Sequence, residues 1–376
     1  MAKNINKKPF DEASKLKLEI FGESFEEWLP VFIYDMYTTQ VSIFDFFAGS
    51  GTDIENNLGS PLILLDKAKG ENRKYCANAK KPIKFFFNEG QIRKSNELQQ
   101  NTNIFIDQCV KDNNCSSCIY NYHILNYSFH ELFNNPDLKR VFENKSIAKF
   151  ILLDQYGFSQ INEEIFKQLI SFPKTDFVFF ISSSFINRFK DHPYTKQHID
   201  TSKIEFENKK PNEIHRTVAD YFRSLIPNDK EYYLHHFSIK KGANYYGLIF
   251  GSNHTLGMEK FLKVCWKHDT LSGEASYNID NNWEANSLFS ELGENVKKDT
   301  IAKKIEELIL SGEITDNKIG LKYALINGCE PKLFIEVVQK LSKRKAIEII
   351  GKFNKQSTNI HKINELYQIN RINNDK

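Results

Sequence analysis

The chain has 376 residues, 40% of them hydrophobic and 26% charged, with 51 Lys and Arg against 48 Asp and Glu. That length predicts two domains or one large domain with an appendage, the apolar share supports a packed core, and a net charge of +3 gives no global attraction for a polyanion. No apolar run approaches the ~18 residues that span a bilayer, Met1–Lys15 lacks the apolar stretch of a signal peptide, and six cysteines predict a reduced, cytoplasmic setting.

Residues 12–38 read as a helix, with Leu16, Leu18, Ile20, Phe21, Trp28, Leu29, Phe32 and Ile33 on a mostly apolar face broken by Pro30. Strand-like and helical runs then alternate. The strands are expected at Val41–Phe47, Ile83–Asn88, Phe105–Cys109, Ile147–Asp154 and Phe177–Ser182, and the helices at Ser60–Lys69, Ile92–Gln100, Phe129–Phe142 and Ile161–Ser171. Near-continuous apolar strands alternating with helices predict a parallel α/β sheet. Tyr232–Ile239 and Asn244–Ser252 then form a hairpin around Lys240-Lys241-Gly242-Ala243. A parallel sheet that ends in an antiparallel hairpin fits a Rossmann-like, class I methyltransferase sheet better than a dehydrogenase.

Beyond Lys297 the chain turns helical, at Ile301–Leu310, Lys318–Ile326 and Lys332–Lys340, and residues 331–376 carry ten Lys and Arg against four Asp and Glu. This order fits a winged-helix module, or a charged helical bundle that only packs on the sheet. The expected domains are a helical segment at 1–40, an α/β domain at 41–295 and a helical or winged-helix domain at 296–376, with the last dozen residues a frayed tail.

The stretch Val41 to Gly51 carries the chemistry. An apolar strand ends near Asp45 and is followed by Phe47-Ala48-Gly49-Ser50-Gly51, a turn whose glycines admit positive φ and close approach of a ligand. The spacing D-x-F-A-G-x-G differs from the dinucleotide G-x-G-x-x-G and resembles the first motif of S-adenosylmethionine (SAM) methyltransferases. There the turn holds the methionine end, so Asp45, Phe47, Ala48, Gly49 and Gly51 are the expected cofactor residues. The next strand ends at Glu89, whose two oxygens suit a ribose diol, although a glutamate also belongs at a helix start for its charge alone. The fourth strand ends Asp154-Gln155-Tyr156-Gly157. This mirrors the D-P-P-Y of amino-methyltransferases, in which the acid accepts from a target amine and the ring stacks on the base. Asp154 and Tyr156 are the expected acceptor residues, Gln155 departs from the motif, and helix capping is the competing role for Asp154.

With these stations in order, the chain resembles the three-Cys-motif partner protein family, TcmP, from about Phe10 to Lys345. Lys15-Leu16-Lys17-Leu18-Glu19-Ile20 with Trp28-Leu29-Pro30 is similar to its K-L-x-I…W-L-P opening. Asp45 to Gly51 followed by Gly59-Ser60-Pro61-Leu62 is similar to its D-x-F-A-G-x-G…G-S-P-L signature. Asp154-Gln155-Tyr156-Gly157 stands where that family has D-P-F-G, Phe250-Gly251-Ser252-Asn253-His254 with Gly257-Met258 resembles its S-x-H-x-x-G segment, and Arg188 falls where it often has arginine. The resemblance implies a methyltransferase-type domain with a helical appendage, and a partner: a radical-SAM-like protein that carries the three cysteines.

Cys109, Cys115 and Cys118, with His123 nearby, contain one C-x-x-C pair. A structural zinc site usually has two, so free cysteines are expected, with zinc or a disulfide as alternatives. His235-His236 is expected as a surface pair. Three functions compete: a SAM-dependent methyltransferase acting on a nucleobase amine in nucleic acid, a non-catalytic partner of the three-Cys protein, and a DNA-binding regulator using the C-terminal helices.

Overall fold

The computed structural model describes residues 8–280, 296–355, 361 and 366–372. The chain divides into two compact units, residues 1–232 with 238–253 and residues 233–237 with 254–376.

The first unit opens with α1 (Glu12–Ile33), capped by the Asp11 carboxylate, which accepts from Ser14 N–H. It continues through β1 (Gln40–Asp45), α2 (Ser60–Ala68), α3 (Lys74–Asn78), β2 (Ile83–Asn88), α4 (Ile92–Asp112), β3 (Asn121–Leu125), α5 (Phe129–Phe133), α6 (Pro136–Glu143), β4 (Ile147–Leu153), α7 (Glu163–Ser171) and β5 (Thr175–Ile181). After α8 (Ser183–Arg188), α9 (Pro193–His198) and α10 (Ile214–Ser224) come β6 (Tyr233–Lys241), whose first five residues are counted with the second unit, and β7 (Asn244–Ser252). The seven-stranded sheet among the described residues has the order β3-β2-β1-β4-β5-β7-β6. β1 to β5 run parallel and β7 pairs antiparallel to β5. This is the class I methyltransferase arrangement of the doubly wound sheet, and the direction of winding reverses between β1 and β4, where such sheets bind ligands.

Period-2 alternation sorts the strand side chains onto two faces. On one face Phe25 and Trp28 of α1 pack against Phe85 and Phe150. On the other, Phe44 and Phe46 meet Phe129, Phe133 and Phe142, while Phe177 and Phe179 meet Phe166 and Phe222. Each aromatic side chain buried on these faces stabilises the fold by about 25 cal/mol per Å² removed from water.

Three expectations change. Phe105–Cys109 is not a strand: it continues α4, whose inward positions are Ser95, Leu98, Thr102 and Ile106. Two of these four are polar, which weakens the helical apolar period and leaves a short apolar run in view. The strand that follows is β3, at the sheet edge with no fully buried residue. The expected helix Phe129–Phe142 is split, because Pro136 opens α6 behind the Asn135 cap.

The second unit contains α11 (Thr255–His268), α12 (Val296–Leu310), α13 (Asn317–Ile326), α14 (Pro331–Lys343) and the antiparallel pair β8 (Ile347–Ile350) and β9 (Gln368–Arg371). An isolated bridge joins Asp316 to Gln368. The chain division falls at Asn253/His254 and not at the expected 295/296, because α11 packs with α13 and Trp266 Nε1 donates to the Gly328 carbonyl at 2.9 Å. Residues 281–295, which carry that expected boundary, and part of the expected tail lie outside the described residues. His235 and His236 are not a surface pair, since each is only 3% exposed. No described helix is long and apolar enough to cross a membrane.

Candidate functional site at the strand carboxyl ends

The turn after β1 is tied to both neighbouring strands. Phe46 N–H donates to the Leu152 carbonyl at 3.1 Å and Ala48 N–H to the Asn88 carbonyl at 2.9 Å. Gly49 and Gly51 sit at φ 64° and 85°, the left-handed region that a Cβ disfavours. Gly59 N–H donates to the Gly51 carbonyl at 2.7 Å, and a Cβ on Gly59 would stand 3.0 Å from that oxygen. From α4, Asn101 Nδ2 donates to the Ser50 carbonyl at 2.8 Å. The buried Asp53 accepts from the N–H groups of Glu55 and Asn57, each at 2.9 Å, and from Phe10 N–H at 2.8 Å. Asn101 and Asp53 escaped the sequence reading; the only local signal was an Asp within a polar turn.

Asp45 has no exposed surface. Its Oδ1 accepts from Phe47 N–H at 3.1 Å and its Oδ2 from the Ser60 hydroxyl at 2.6 Å. Burial pushes its carboxyl up to about 7; the Ser60 and Phe47 bonds oppose the shift, and the Asp154 and Glu89 charges add to it. The carboxylates at the ends of β2 and β4 thus lie within electrostatic reach of Asp45 at the end of β1. Asp45 is among the expected cofactor residues. It is the internal brace of the turn, with Phe47 and Gly49 partly exposed beside it.

Glu89 is half-buried just beyond β2, and its Oε1 accepts from Gln91 N–H at 2.8 Å. Before it, Asn88 donates to the carbonyls of Phe46 and Tyr127 at 3.2 and 3.0 Å and accepts from Tyr127 N–H. This side chain thus fixes the β1 and β3 ends around Glu89.

Asp154 is held by Lys17 of α1, whose Nζ lies 2.7 and 2.5 Å from the two carboxylate oxygens. Both side chains are 16% exposed. The ammonium also stands 4.6 Å from the centre of the Phe180 ring, a cation–π distance, and Phe180 stacks on Tyr246 at 5.7 Å. Gln155 is buried: its Nε2 donates to the Phe180 carbonyl at 3.1 Å and its Oε1 accepts from Gln160 N–H at 2.9 Å. These two bonds hold the loop where the related motifs use proline. Tyr156 is 78% exposed and forms no wall beside Asp154; the aromatic surface there is Phe180. Lys17 continues the buried stripe Phe21, Phe25 and Trp28 at helical spacing, so a charge standing where an apolar residue is due was the available signal.

Of the other candidates, Arg188 is exposed at the end of α8 and donates to Asn244 Oδ1 at 3.0 Å. Cys109 lies in the last turn of α4, Cys115 and Cys118 in the loop after it, and all three are free. His123 stacks on Phe86, 5.0 Å between ring centres.

No protein-family model matches the chain, and no curated protein matches it. Among solved structures it is similar to an O-methyltransferase from Bacillus cereus in complex with SAH, at 10% identity and TM-score 0.31, over 65% of this chain and 91% of that one. It is also similar to M. jannaschii TYW2 in complex with AdoMet, at 12% identity and TM-score 0.28, over 64% and 75%. A third is the human methyltransferase 10 domain containing protein, at 12% identity and TM-score 0.28, over 62% and 82%. TM-scores this low carry no weight of their own, and the fold class rests on the strand order.

Proposed function

We propose that the first unit binds SAM at the carboxyl ends of β1, β2 and β4 and transfers its methyl group to a nucleobase amine in nucleic acid. The observation that carries this reading is the left-handed Gly49–Gly51 turn at the point where the sheet reverses, braced by Asp45 and followed on the next strand by Glu89. Glu89, half-exposed beyond β2, favours a ribose diol over a pyrophosphate. The methionine portion would lie over the turn and the ribose on Glu89. The acceptor amine would take the place of the Lys17 ammonium on Asp154, with its base against Phe180. Bound SAM would supply the methyl group to the amine nitrogen, and Asp154 would take the proton that the amine gives up. Such a transfer depends on alignment more than on acid–base strength.

A second reading is favoured by the Lys17–Asp154 pair and the buried Gln155: a non-catalytic partner that keeps SAM binding and docks with a radical-SAM-like three-Cys protein. The second unit bears on nucleic acid under either reading. Helix, bridge residue Asp316, two helices and the β8–β9 pair follow the order of a winged helix, and Lys332, Lys340 and Lys343 are exposed on α14. We take that module as the nucleic-acid contact.

Calorimetric titration with SAM and with S-adenosylhomocysteine tests the shared premise. Micromolar binding that is lost in Asp45→Ala supports the site, and absence of binding to ligand-free protein rejects it. Methyl transfer to nucleic acid that vanishes in Asp154→Ala while SAM binding persists selects the enzyme. SAM binding with no transfer, together with capture of the three-Cys protein, selects the partner.

A further inference from the structure

Four of the six cysteines, from three separate stretches of chain, lie around the β3 edge: one at Tyr120, and the others in the last turn of α4 and the loop that leads to Tyr120. Cys76, on α3, lies with its Sγ 3.4 Å from Tyr120 Oη, and that hydroxyl donates to the Ala68 carbonyl at 2.6 Å. Cys118 precedes Tyr120 by two residues and completes a C-x-x-C with Cys115. Arg73 Nη2 reaches the Cys115 sulfur at 2.6 Å, while its Nη1 donates to the Asn113 carbonyl at 3.2 Å. Asn113 Nδ2 in turn donates to the Cys109 carbonyl at 2.7 Å and approaches its sulfur at 3.7 Å. Cys115 Sγ also lies 3.7 Å from the Asn113 carbonyl oxygen that Arg73 binds. His123 is not part of the group, because it projects from the opposite face of β3 onto Phe86.

The surroundings are poor in other means of holding themselves together. Asn72, Arg73 and Asn114 adopt positive φ of 50°, 58° and 49° without being glycine, conformations that persist only when the neighbourhood holds them. β3 has no fully buried residue, and the loop from Asn113 to Ile119 is polar and largely exposed. Few buried apolar side chains link α3, the end of α4 and this loop; Tyr75 and Tyr120 are the main ones.

The geometry points to a structural zinc site whose four ligands are the sulfurs of Cys76, Cys109, Cys115 and Cys118. Four thiolates fill the tetrahedral shell of a closed site, with Zn–S bonds of about 2.3 Å, and the C-x-x-C supplies two of them from one short turn. Among the described residues no three of these sulfurs lie within 4.8 Å of one another, so the cluster is gathered but open, and the metal would draw it shut. Arg73 already lies on Cys115 and would offset part of the negative charge of a four-thiolate site. A Cys115–Cys118 disulfide would leave Cys76 and Cys109 without a role, whereas zinc uses all four. The metal would fasten α3 and the end of α4 to the edge strand. It is separate from the SAM reading and does not depend on it.

The test is the zinc content of the tag-free full chain purified without chelators, read by elemental analysis and by release with a thiol-reactive mercurial. We expect one zinc per chain, lost in Cys76→Ser and in Cys118→Ser and retained in Cys265→Ser, whose thiol is buried elsewhere. Cobalt(II) exchanged into the wild-type chain should give the intense visible absorption of a tetrahedral thiolate site, a readout that does not require any variant to fold. A metal-free chain that takes up no zinc on titration overturns the proposal. So does zinc retained in the Cys76→Ser, Cys118→Ser double variant, or a Cys115–Cys118 disulfide in protein purified anaerobically.

Discussion

Lys17 and Asp154, 137 residues apart, meet with both carboxylate oxygens inside hydrogen-bond distance of one ammonium. The pair is largely shielded from water, so its charges are screened less than those of a surface pair. An amine arriving at Asp154 must either displace Lys17 or bind beside it.

Lys17→Met leaves the Asp154 carboxylate without its cation. The expected loss of stability is about 3–5 kcal/mol, measured by urea denaturation. Asp154→Asn combined with Lys17→Met should recover part of this loss in a double-mutant cycle. Additive losses would mean that the two groups do not interact in solution.

Asp45 predicts a pH dependence. Its folded value of about 7 lies above the unfolded value of about 3.9, so between those limits the folded chain holds the proton more tightly. Stability contributed by this group is full below pH 4 and is lost as pH rises through 7, by on the order of 4 kcal/mol at most. Asp45→Asn can still accept from Phe47 N–H and bond Ser60, so the difference between wild type and variant should change across pH 4–7. A constant difference would contradict the shift.

Lys149 predicts the opposite slope at higher pH. It is fully buried in β4, and its Nζ donates to the carbonyls of Phe142 and Asn144, each at 2.9 Å. Burial, with help from Lys174, lowers it to about 7. Above that pH the folded chain holds fewer protons than the unfolded one, so stability from this group climbs until about pH 10.4. Lys149→Met should remove that rising arm in denaturation curves taken at pH 7, 8.5 and 10.

Gly59→Ala tests the turn without disturbing a left-handed residue, since Gly59 has φ of −83°. The added methyl presses on the Gly51 carbonyl. SAM affinity should fall about tenfold, equivalent to ~1.4 kcal/mol, with a stability loss under about 1 kcal/mol. Unchanged affinity in calorimetry would separate the turn from the ligand.

The legible parts of this molecule are local. The turn from Asp45 to Gly51 and the apolar strands around it can be read because strand, acid and glycines lie within a few consecutive residues. β3 was hidden because an edge strand with half-exposed residues lacks the apolar run that marks a buried one, and α4 took on a strand-like look because Ser95 and Thr102 occupy inward positions. The four-residue strands β8 and β9 are too short to stand out. The Asn88 brace, the Phe180 surface and the arrival of Cys76 beside Cys118 depend on pairings across the fold that no local spacing encodes.

Helix α1 has 22 residues, about 33 Å at 1.5 Å each, with Lys17 at the carboxyl end of β4 and its last turn near the residues that precede β2 and β5. Just beyond its far end Asp35 accepts from Lys174 at 3.0 Å, and the Phe32 carbonyl accepts from Lys81 at the same distance, while before its start Phe10 N–H donates to Asp53 and Asp11 pairs with Lys241, so the helix is fastened at both ends. Trp28 lies between, against Phe32 and Phe150. The indole of Trp28 thus sits within a helix held at both ends, and the intrinsic fluorescence of the unlabelled chain would report a loosening of either anchor.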